Sequence, residues 1–405
     1  MKILQVNCLY KQGSTGKIVC DHHIGLQKRG IQSVVCYANG ETYNESNVYK
    51  ISNGFRQKIE AIYSRVTGLM YGGCRKQTKK IISIIEKENP DIVHLHCING
   101  YTANIYKLVT YLKEKKIKTV LTLHAEFMYT GNCGHALTCE KWKTGCGKCP
   151  RLKEATNNRF FDRTHQSWQR MKNAFDGFEK LVVTSVSPWL MGRAKQSPIL
   201  ADKCHTVVYN GLDTSVFCLR DTTGLKEKHG ITDEKIVFHA TPFFSDLPNR
   251  LKGGYYVLKL AERYKDKNVK FFVAGNFELH GEAPENVIFL GRVNDQNLLA
   301  QYYSLADVTL LTSKRETFSM ICAESLCAGT PVVGFKAGAP EQISLPDYSA
   351  FVEYGDVDGL EQETDKLLNS TIDKNQISGI AKKMYSKEQM TEMYLQVYCK
   401  NWENL

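Results

Sequence analysis

Short apolar runs alternate with longer amphipathic segments along most of the chain. In the first half, turn residues bound apolar runs that predict strands at 2–8, 33–37, 92–96, 119–123 and 181–184. Helical spacing predicts helices between them, at 16–28, 77–88 and 103–115 among others. This alternation is typical of a parallel sheet covered by helices.

The second half repeats the pattern. Its apolar runs predict strands at 236–239, 270–274, 287–290, 308–311 and 331–334. Because a second strand–helix series needs its own core, we expect a boundary near 195–212. The predicted organisation is an α/β chain with domains at 1–200 and 201–375 and a helical tail at 376–405.

Length and composition agree with two soluble domains. A chain of 405 residues with 42% hydrophobic and 23% charged residues can fill two complete cores. It contains no uncharged apolar run of about 18 residues, and its first residues predict a strand in place of a signal peptide. We therefore expect a cytoplasmic protein.

The net charge of +11 is unevenly distributed. Lysine and arginine are common between residues 50 and 87, at Arg56, Lys58, Arg65, Arg75, Lys76, Lys79 and Lys80. They could hold the first domain on an anionic membrane, or they could be an ordinary solvated helix face. Nucleic acid is disfavoured, because no recognition motif accompanies the charge.

The most informative segment spans 315–334. Glu316 and Glu324 lie eight residues apart, close to two helical turns, where a predicted helix follows the strand at 307–312. Free N–H groups at a helix start attract phosphate, whereas carboxylates accept hydrogen bonds from hydroxyl groups. A nucleotide sugar carries both groups. The helix dipole alone would explain an isolated acid pair at this place. The small residues around Glu324 indicate a tightly packed helix, which favours a functional role for the pair.

Cations and histidines elsewhere have both ordinary and functional interpretations. Lys252 and Arg250 could neutralise a departing diphosphate, and Gly253 permits close backbone approach, although surface lysines and arginines are common. His94 and His96 share one face of a strand. His124 ends a strand and, taken alone, would be a hydrogen-bonded structural histidine.

Six elements occur in an order that resembles one family. They are the glycine loop at 13–17, the histidines at 94–96 and 124, Asn210-Gly211 with Asp213 and Phe217, Lys252-Gly253, the glycine-containing segments at 271–275 and 289–293, and the acid pair. Together they resemble the family 4 retaining glycosyltransferases, especially those of bacterial capsule, exopolysaccharide and O-antigen (colanic-acid-type) assembly. The resemblance implies the GT-B fold: two Rossmann-like domains facing a cleft, with a C-terminal helix crossing back to the first.

The resemblance also implies the reaction and its participants. A sugar would pass with retention from a UDP-, GDP- or ADP-linked donor to a glycan or lipid-linked oligosaccharide, without a metal or other cofactor. The enzyme would work in the cytoplasm or at the inner face of the plasma membrane.

The resemblance also implies roles for the residues that occupy the family's motif positions in this sequence. The catalytic candidates are His124, Glu316 and Lys252, and the acceptor-side candidates are His94 and His96. The donor-binding candidates are Gly16, Arg250, Lys252, Gly275, Arg292, Val293, Glu316, Phe318, Ser319, Met320 and Glu324.

The sequence departs from the family pattern in three places. Ala240-Thr241-Pro242 occupies the place of a usual arginine, for which Arg250 is the candidate substitute. Ser319 stands where glycine is common, and Ala125 follows His124 where aspartate is common. The signature carboxylates are unaffected.

Four of the fourteen cysteines are clustered in the loop at 130–150. Cys133, Cys139, Cys146 and Cys149 end in a Cys-x2-Cys pair, which suits a structural zinc ion, but free thiols or a disulfide remain alternatives. The other cysteines are expected to be buried thiols.

Other functions are alternatives to the glycosyltransferase. A GT-B epimerase or phosphorylase would share the fold, but no lysine or phosphate pattern for a phosphorylase is present. A catalytically degenerate sugar-binding scaffold and a zinc-stabilised nucleic-acid-binding protein are the further alternatives. A nucleotide-triphosphate loop at 13–17 fails on spacing.

Overall fold

The computed structural model describes residues 1–156, 158 and 161–402. These residues form two compact units. The first contains residues 1–210 and takes up the chain again from Met390, and the second runs from Gly211 to Gln389. The tail at 376–389 therefore belongs to the second unit, and only the last part of the chain returns to the first.

The first unit is built on a seven-stranded parallel sheet in the order β3-β2-β1-β4-β5-β6-β7. Its strands are β1 (Lys2–Leu9), β2 (Gln32–Asn39), β3 (Val48–Lys50), β4 (Ile92–Leu95), β5 (Thr119–Leu123), β6 (Leu181–Ser185) and β7 (Cys204–Val207). The central strands are buried, as expected of a sheet covered on both faces.

Helices connect these strands. They are α1 (Gly13–Lys28), α2 (Gly54–Thr67), α3 (Arg75–Glu88), α4 (Ile105–Glu114), α5 (Leu152–Thr156), α6 (Thr164–Phe175) and α7 (Pro188–Ala194). Short 3-10 turns lie at Glu126–Met128 and Lys141–Lys143.

The second unit has a six-stranded parallel sheet in the order β10-β9-β8-β11-β12-β13. Its strands are β8 (Lys235–Ser245), β9 (Val269–Glu278), β10 (Val287–Gly291), β11 (Val308–Leu311), β12 (Val332–Phe335) and β13 (Ser349–Val352). Its helices are α8 (Thr223–His229), α9 (Gly254–Arg263), α10 (Gln296–Leu305), α11 (Met320–Cys327), α12 (Pro340–Ile343), α13 (Val357–Leu368) and α14 (Lys374–Tyr385). The last helix, α15 (Lys387–Tyr398), starts in this unit and continues into the first.

All ten predicted strands are present. The three strands that the pattern missed, β3, β7 and β13, are three or four residues long and lie at sheet edges. Edge strands are paired on one side only, so they need no continuous apolar run. Within the described residues, every helix is too short or too polar to span a bilayer.

Candidate functional site

The loop between β11 and α11 carries the central motif. Glu316 lies on this loop, where its N–H donates to Ala337 O at 3.0 Å and its carbonyl accepts from Ala339 N at 3.3 Å. The helix itself begins only at Met320. The expectation that eight residues form two helical turns between the acids is therefore wrong, because residues 316–319 are not helical.

Ser319 sets the start of α11. Its φ is 86°, in the left-handed region that favours glycine, and its Oγ accepts a hydrogen bond from Cys322 N at 3.3 Å. A serine here satisfies one amide of the first turn at the cost of backbone strain. The preference for glycine that the resemblance implies thus has a conformational reason.

Lys252 and Glu316 form an ion pair, although 64 residues separate them. Lys252 Nζ donates to Glu316 Oε1 at 2.6 Å, and the Glu316 side chain is only 14% exposed. Lys314 N donates to Leu251 O at 2.8 Å, which ties the Lys252 segment to the end of β11. Two predicted site residues therefore meet directly.

Glu324 is held by a different partner. It is the fifth residue of α11, and its Oε2 accepts a hydrogen bond from Tyr303 OH at 3.1 Å. Burial, together with the negative charge of Glu324, raises the pKa of Tyr303 and keeps it a hydrogen-bond donor. The small residues of α11 are buried, as the sequence predicted.

The candidate glycines of this unit approach protein backbone. A Cβ on Gly253 (φ 68°) would collide with the carbonyl oxygen of Thr312, and one on Gly275 (φ 138°) would collide with that of Thr241. Both glycines thus have a packing role, so their presence does not by itself indicate ligand contact.

The remaining donor candidates differ in exposure. Arg250 and Arg292 are exposed, whereas Val293 and Met320 are half-buried. Phe318 is buried, with its ring centroid 6.2 Å from that of Tyr385. Phe318 therefore supports the loop from inside.

In the first unit, Gly16 and the candidate histidines lie near the ends of β1, β4 and β5. Gly16 packs against the end of β1, because a Cβ there would lie 3.1 Å from that of Leu9. His94 is fully buried, with Tyr398 OH 2.6 Å from its Nδ1 and Thr122 Oγ1 2.7 Å from its Nε2. These partners place His94 in an internal network, so its placement does not support the predicted acceptor-side role.

A second chain of hydrogen bonds reaches His124. Gln5 Nε2 donates to Ser33 Oγ, so Gln5 Oε1 accepts from His96 Nε2–H at 3.2 Å. His96 Nδ1 is then the acceptor for His124 Nε2–H, also at 3.2 Å. His96 is fully buried, so its predicted acceptor-side role also lacks support from its placement, and its ring instead positions His124.

Burial keeps these histidines neutral. It lowers the pKa of His124 to about 4 and that of His96 well below the ordinary range, where neighbouring histidines add to the effect. A neutral His124 that donates through Nε2 carries no proton on Nδ1. Nδ1 is therefore the acceptor nitrogen of this ring.

The four clustered cysteines line one small cavity. Gly131 N donates to Cys146 Sγ at 3.2 Å, and His165 Nδ1–H donates to Cys146 O at 2.8 Å. Four sulfur donors suit zinc chemically. As the side chains stand, however, no three ligating groups in the described part of the chain are close enough to hold one ion, so the predicted four-thiol site is not assembled.

The sequence patterns do not mark the group that anchors this loop. Glu126 is fully buried; Arg193 Nε donates to its Oε1 at 2.6 Å, Tyr129 OH to the same oxygen at 2.9 Å and Ala136 N to its Oε2 at 2.6 Å. Nothing in the local sequence marks Arg193 as a partner, because it lies 67 residues further on.

His239 was also missed. Its Nδ1–H donates to Leu310 O at 2.9 Å, and its buried Nε2 has no hydrogen-bond partner among residues 1–156, 158 and 161–402. Burial, with a contribution from Lys252, lowers the pKa of His239 to about 4. A neutral acceptor therefore lies near the Lys252–Glu316 pair.

Comparison with known proteins assigns this architecture. Residues 241–370, which include Lys252, Glu316 and Glu324, match the family Glycosyl transferases group 1. The second unit carries a group 1 glycosyltransferase domain. The chain is 23% identical to the colanic acid biosynthesis glycosyl transferase WcaC of Escherichia coli, over 98% of this chain and 99% of that protein.

Solved structures agree on the fold. Sucrose-phosphate synthase from Thermosynechococcus elongatus superposes with a TM-score of 0.68 at 14% identity, over 98% of each chain. Anabaena HepE, solved with UDP and glucose, gives 0.63 at 16% identity, over 98% of this chain and 99% of that one. The chain therefore has the GT-B fold, as the family resemblance implied.

Proposed function

We propose that this glycosyltransferase transfers a sugar, with retention of configuration, from a nucleoside diphosphate donor to a glycan or lipid-linked acceptor. The Lys252–Glu316 pair at the start of α11 carries the proposal, since it joins a cation and a hydroxyl-binding acid where a helix N-terminus favours phosphate. Relatedness to a colanic acid enzyme and the UDP and glucose bound by HepE support the substrate classes.

The chemistry requires charge stabilisation on the leaving group. As the glycosidic bond to the diphosphate breaks, negative charge grows on the leaving oxygen, and a fixed cation lowers the barrier. Lys252 supplies that cation after exchanging Glu316 for phosphate. Arg250 and Arg292 are exposed on the same unit and add positive charge without a metal ion.

The released carboxylate then binds sugar. Glu316 accepts hydrogen bonds from sugar hydroxyls, and Glu324 accepts from the ribose diol while keeping its bond to Tyr303. The incoming acceptor hydroxyl gives its proton to the leaving diphosphate oxygen as its own oxygen bonds to the sugar carbon on the same face.

A two-stage experiment tests this function. Thermal shifts are measured first with UDP, GDP and ADP, and a rise of a few degrees for one base is expected. Donor hydrolysis and transfer are then followed by NMR with the matching nucleotide sugars, and the product should keep the anomeric configuration of the donor and form in the presence of EDTA.

The outcomes separate the alternatives. Binding without turnover would support a sugar-binding scaffold, and an inverted product would exclude the retaining mechanism. A steeply salt-dependent affinity for polynucleotide with no response to nucleotide sugars would favour the nucleic-acid-binding alternative.

A further inference from the structure

The apolar side of helix α2 is turned away from the protein. Its outer row consists of Phe55, Ile59, Ile62, Tyr63 and Val66, which are 73%, 49%, 60%, 36% and 65% exposed. At 100° per residue these five positions fall within an arc of about 100°. Ser64, on the opposite side, is the buried residue of the helix. An ordinary surface helix has the reverse arrangement.

Basic residues flank this outer row. Arg56 borders it on one side and Lys58 and Arg65 on the other, and all three are exposed. Between 54 and 80 the chain has seven basic residues and one acid, Glu60. The Glu60 carboxylate accepts a hydrogen bond from Cys74 N at 2.8 Å. Within the described residues, none of the three flanking bases pairs with a carboxylate.

A groove of about 770 Å³ separates α2 from the start of α3. Its lining includes three apolar side chains of the outer row, Phe55, Ile59 and Tyr63, together with the bases Arg56, Arg75 and Lys76. The groove therefore presents apolar surface beside positive charge, as an anionic amphiphile would require.

We propose that α2 is a docking surface for an anionic membrane, with the outer row among the acyl chains and the flanking bases at the headgroups. An amphipathic helix with bases bordering an apolar face is suited to this interface. A second copy of the chain would place like charges together, and nucleic acid would leave the apolar row unpaired.

Vesicle sedimentation of the full-length chain tests the proposal without any nucleotide sugar, so its result is independent of the proposed function. Vesicles of phosphatidylcholine alone are compared with vesicles containing 30% phosphatidylglycerol. We expect binding to the anionic vesicles, weakened by salt.

Charge removal is the first variant. The triple change Arg56→Gln, Lys58→Gln and Arg65→Gln should lower partitioning on the order of 100-fold, since each base contributes about fivefold near such a surface. The matched triple Lys226→Gln, Lys228→Gln and Lys383→Gln removes the same charge from the second unit. Partitioning of this control should stay within about twofold of that of the unmodified chain, because only bases close to the membrane surface contribute.

Removal of the apolar row is the second variant. Ile62→Ser with Val66→Ser should lower partitioning about tenfold or more at unchanged net charge. Ile380→Ser, which alters an exposed apolar residue on α14, is the control and should have no effect. Both positions of the double variant are exposed, and circular dichroism confirms the fold.

Three results would overturn the proposal. They are absence of binding to anionic vesicles, equal losses in the α2 and control triples, and concentration-dependent self-association abolished by Ile62→Ser with Val66→Ser. The last would assign the outer row to contact between copies. In the first case, retention of an acidic protein by this row would replace the membrane with a protein partner.

Discussion

At the scale of single residues, Lys252 is the most direct test of the site. Replacement by alanine should lower kcat about 100-fold with a smaller change in KM, because the cation acts on charge that develops in the transition state. Steady-state kinetics with the donor identified by thermal shift measure this. Lys259→Ala, on α9, is the matched control.

Glu316, the ion-pair partner of Lys252, gives a complementary test. Glu316→Gln removes the charge that Lys252 balances and weakens hydrogen bonding to sugar hydroxyls, so turnover should fall strongly while the fold is kept. Unchanged kinetics in either variant would remove that residue from the site.

Ser319 allows a stability prediction. Ser319→Gly relieves left-handed strain of about 1 kcal/mol and loses only a few tenths from the cap, so the unfolding free energy of the second unit should rise slightly. Ser319→Ala loses the cap and keeps the strain, and should destabilise by about 1 kcal/mol. Urea titrations of both variants, followed by circular dichroism, measure the difference. A higher free energy of unfolding for Ser319→Ala than for Ser319→Gly would contradict the prediction.

At the scale of elements, the cysteine loop combines a fixed backbone with separated thiols. Its backbone is anchored by Glu126, and its four thiols share a cavity without converging. Rotation of the side chains is therefore needed before a tetrahedral zinc site could form.

If the loop binds zinc, the purified chain should contain about one zinc per molecule, because four thiolates within one loop are a preferred donor set. Elemental analysis measures this, and Cys146→Ser should lose the metal. Cys399→Ser, which changes an exposed thiol outside the loop, should retain it. A metal-free chain with fourteen titratable thiols would show that the four cysteines are free thiols.

At the scale of the whole molecule, buried neutral histidines predict acid sensitivity. Folding lowers the pKa of His124 from 6.5 to about 4, so the unfolded chain binds more protons between these values. The contribution of neutral His124 to the free energy of unfolding is therefore fully present above pH 6.5, and it is lost as the pH falls towards 4. At pH 5 the loss is roughly 2 kcal/mol for this one histidine.

Tryptophan fluorescence during urea titration measures this in the first unit, which contains all four tryptophans. The stability difference between pH 7.5 and pH 5 should shrink in His124→Gln. His229→Gln, in the second unit, should leave the fluorescence result unchanged. Equal urea midpoints at the two pH values would contradict the prediction.

The sequence by itself determined the two strand–helix series and the order of the motifs. Strand runs, helix periods and glycine-bounded turns are local patterns, and they were sufficient for an α/β chain of two domains. The GT-B fold and the site candidates Lys252 and Glu316 came from the ordered motifs through their resemblance to a family. They also marked the basic segment at 50–87.

Only the tertiary structure decided which groups meet. Three contacts join residues that are distant along the chain. They are the Lys252–Glu316 ion pair, the hydrogen bonds from Gln5 through His96 to His124, and the anchoring of Glu126 by Arg193. The same holds for the outward turn of α2, because helical periodicity shows that a helix has an apolar side but not which side packs on the sheet.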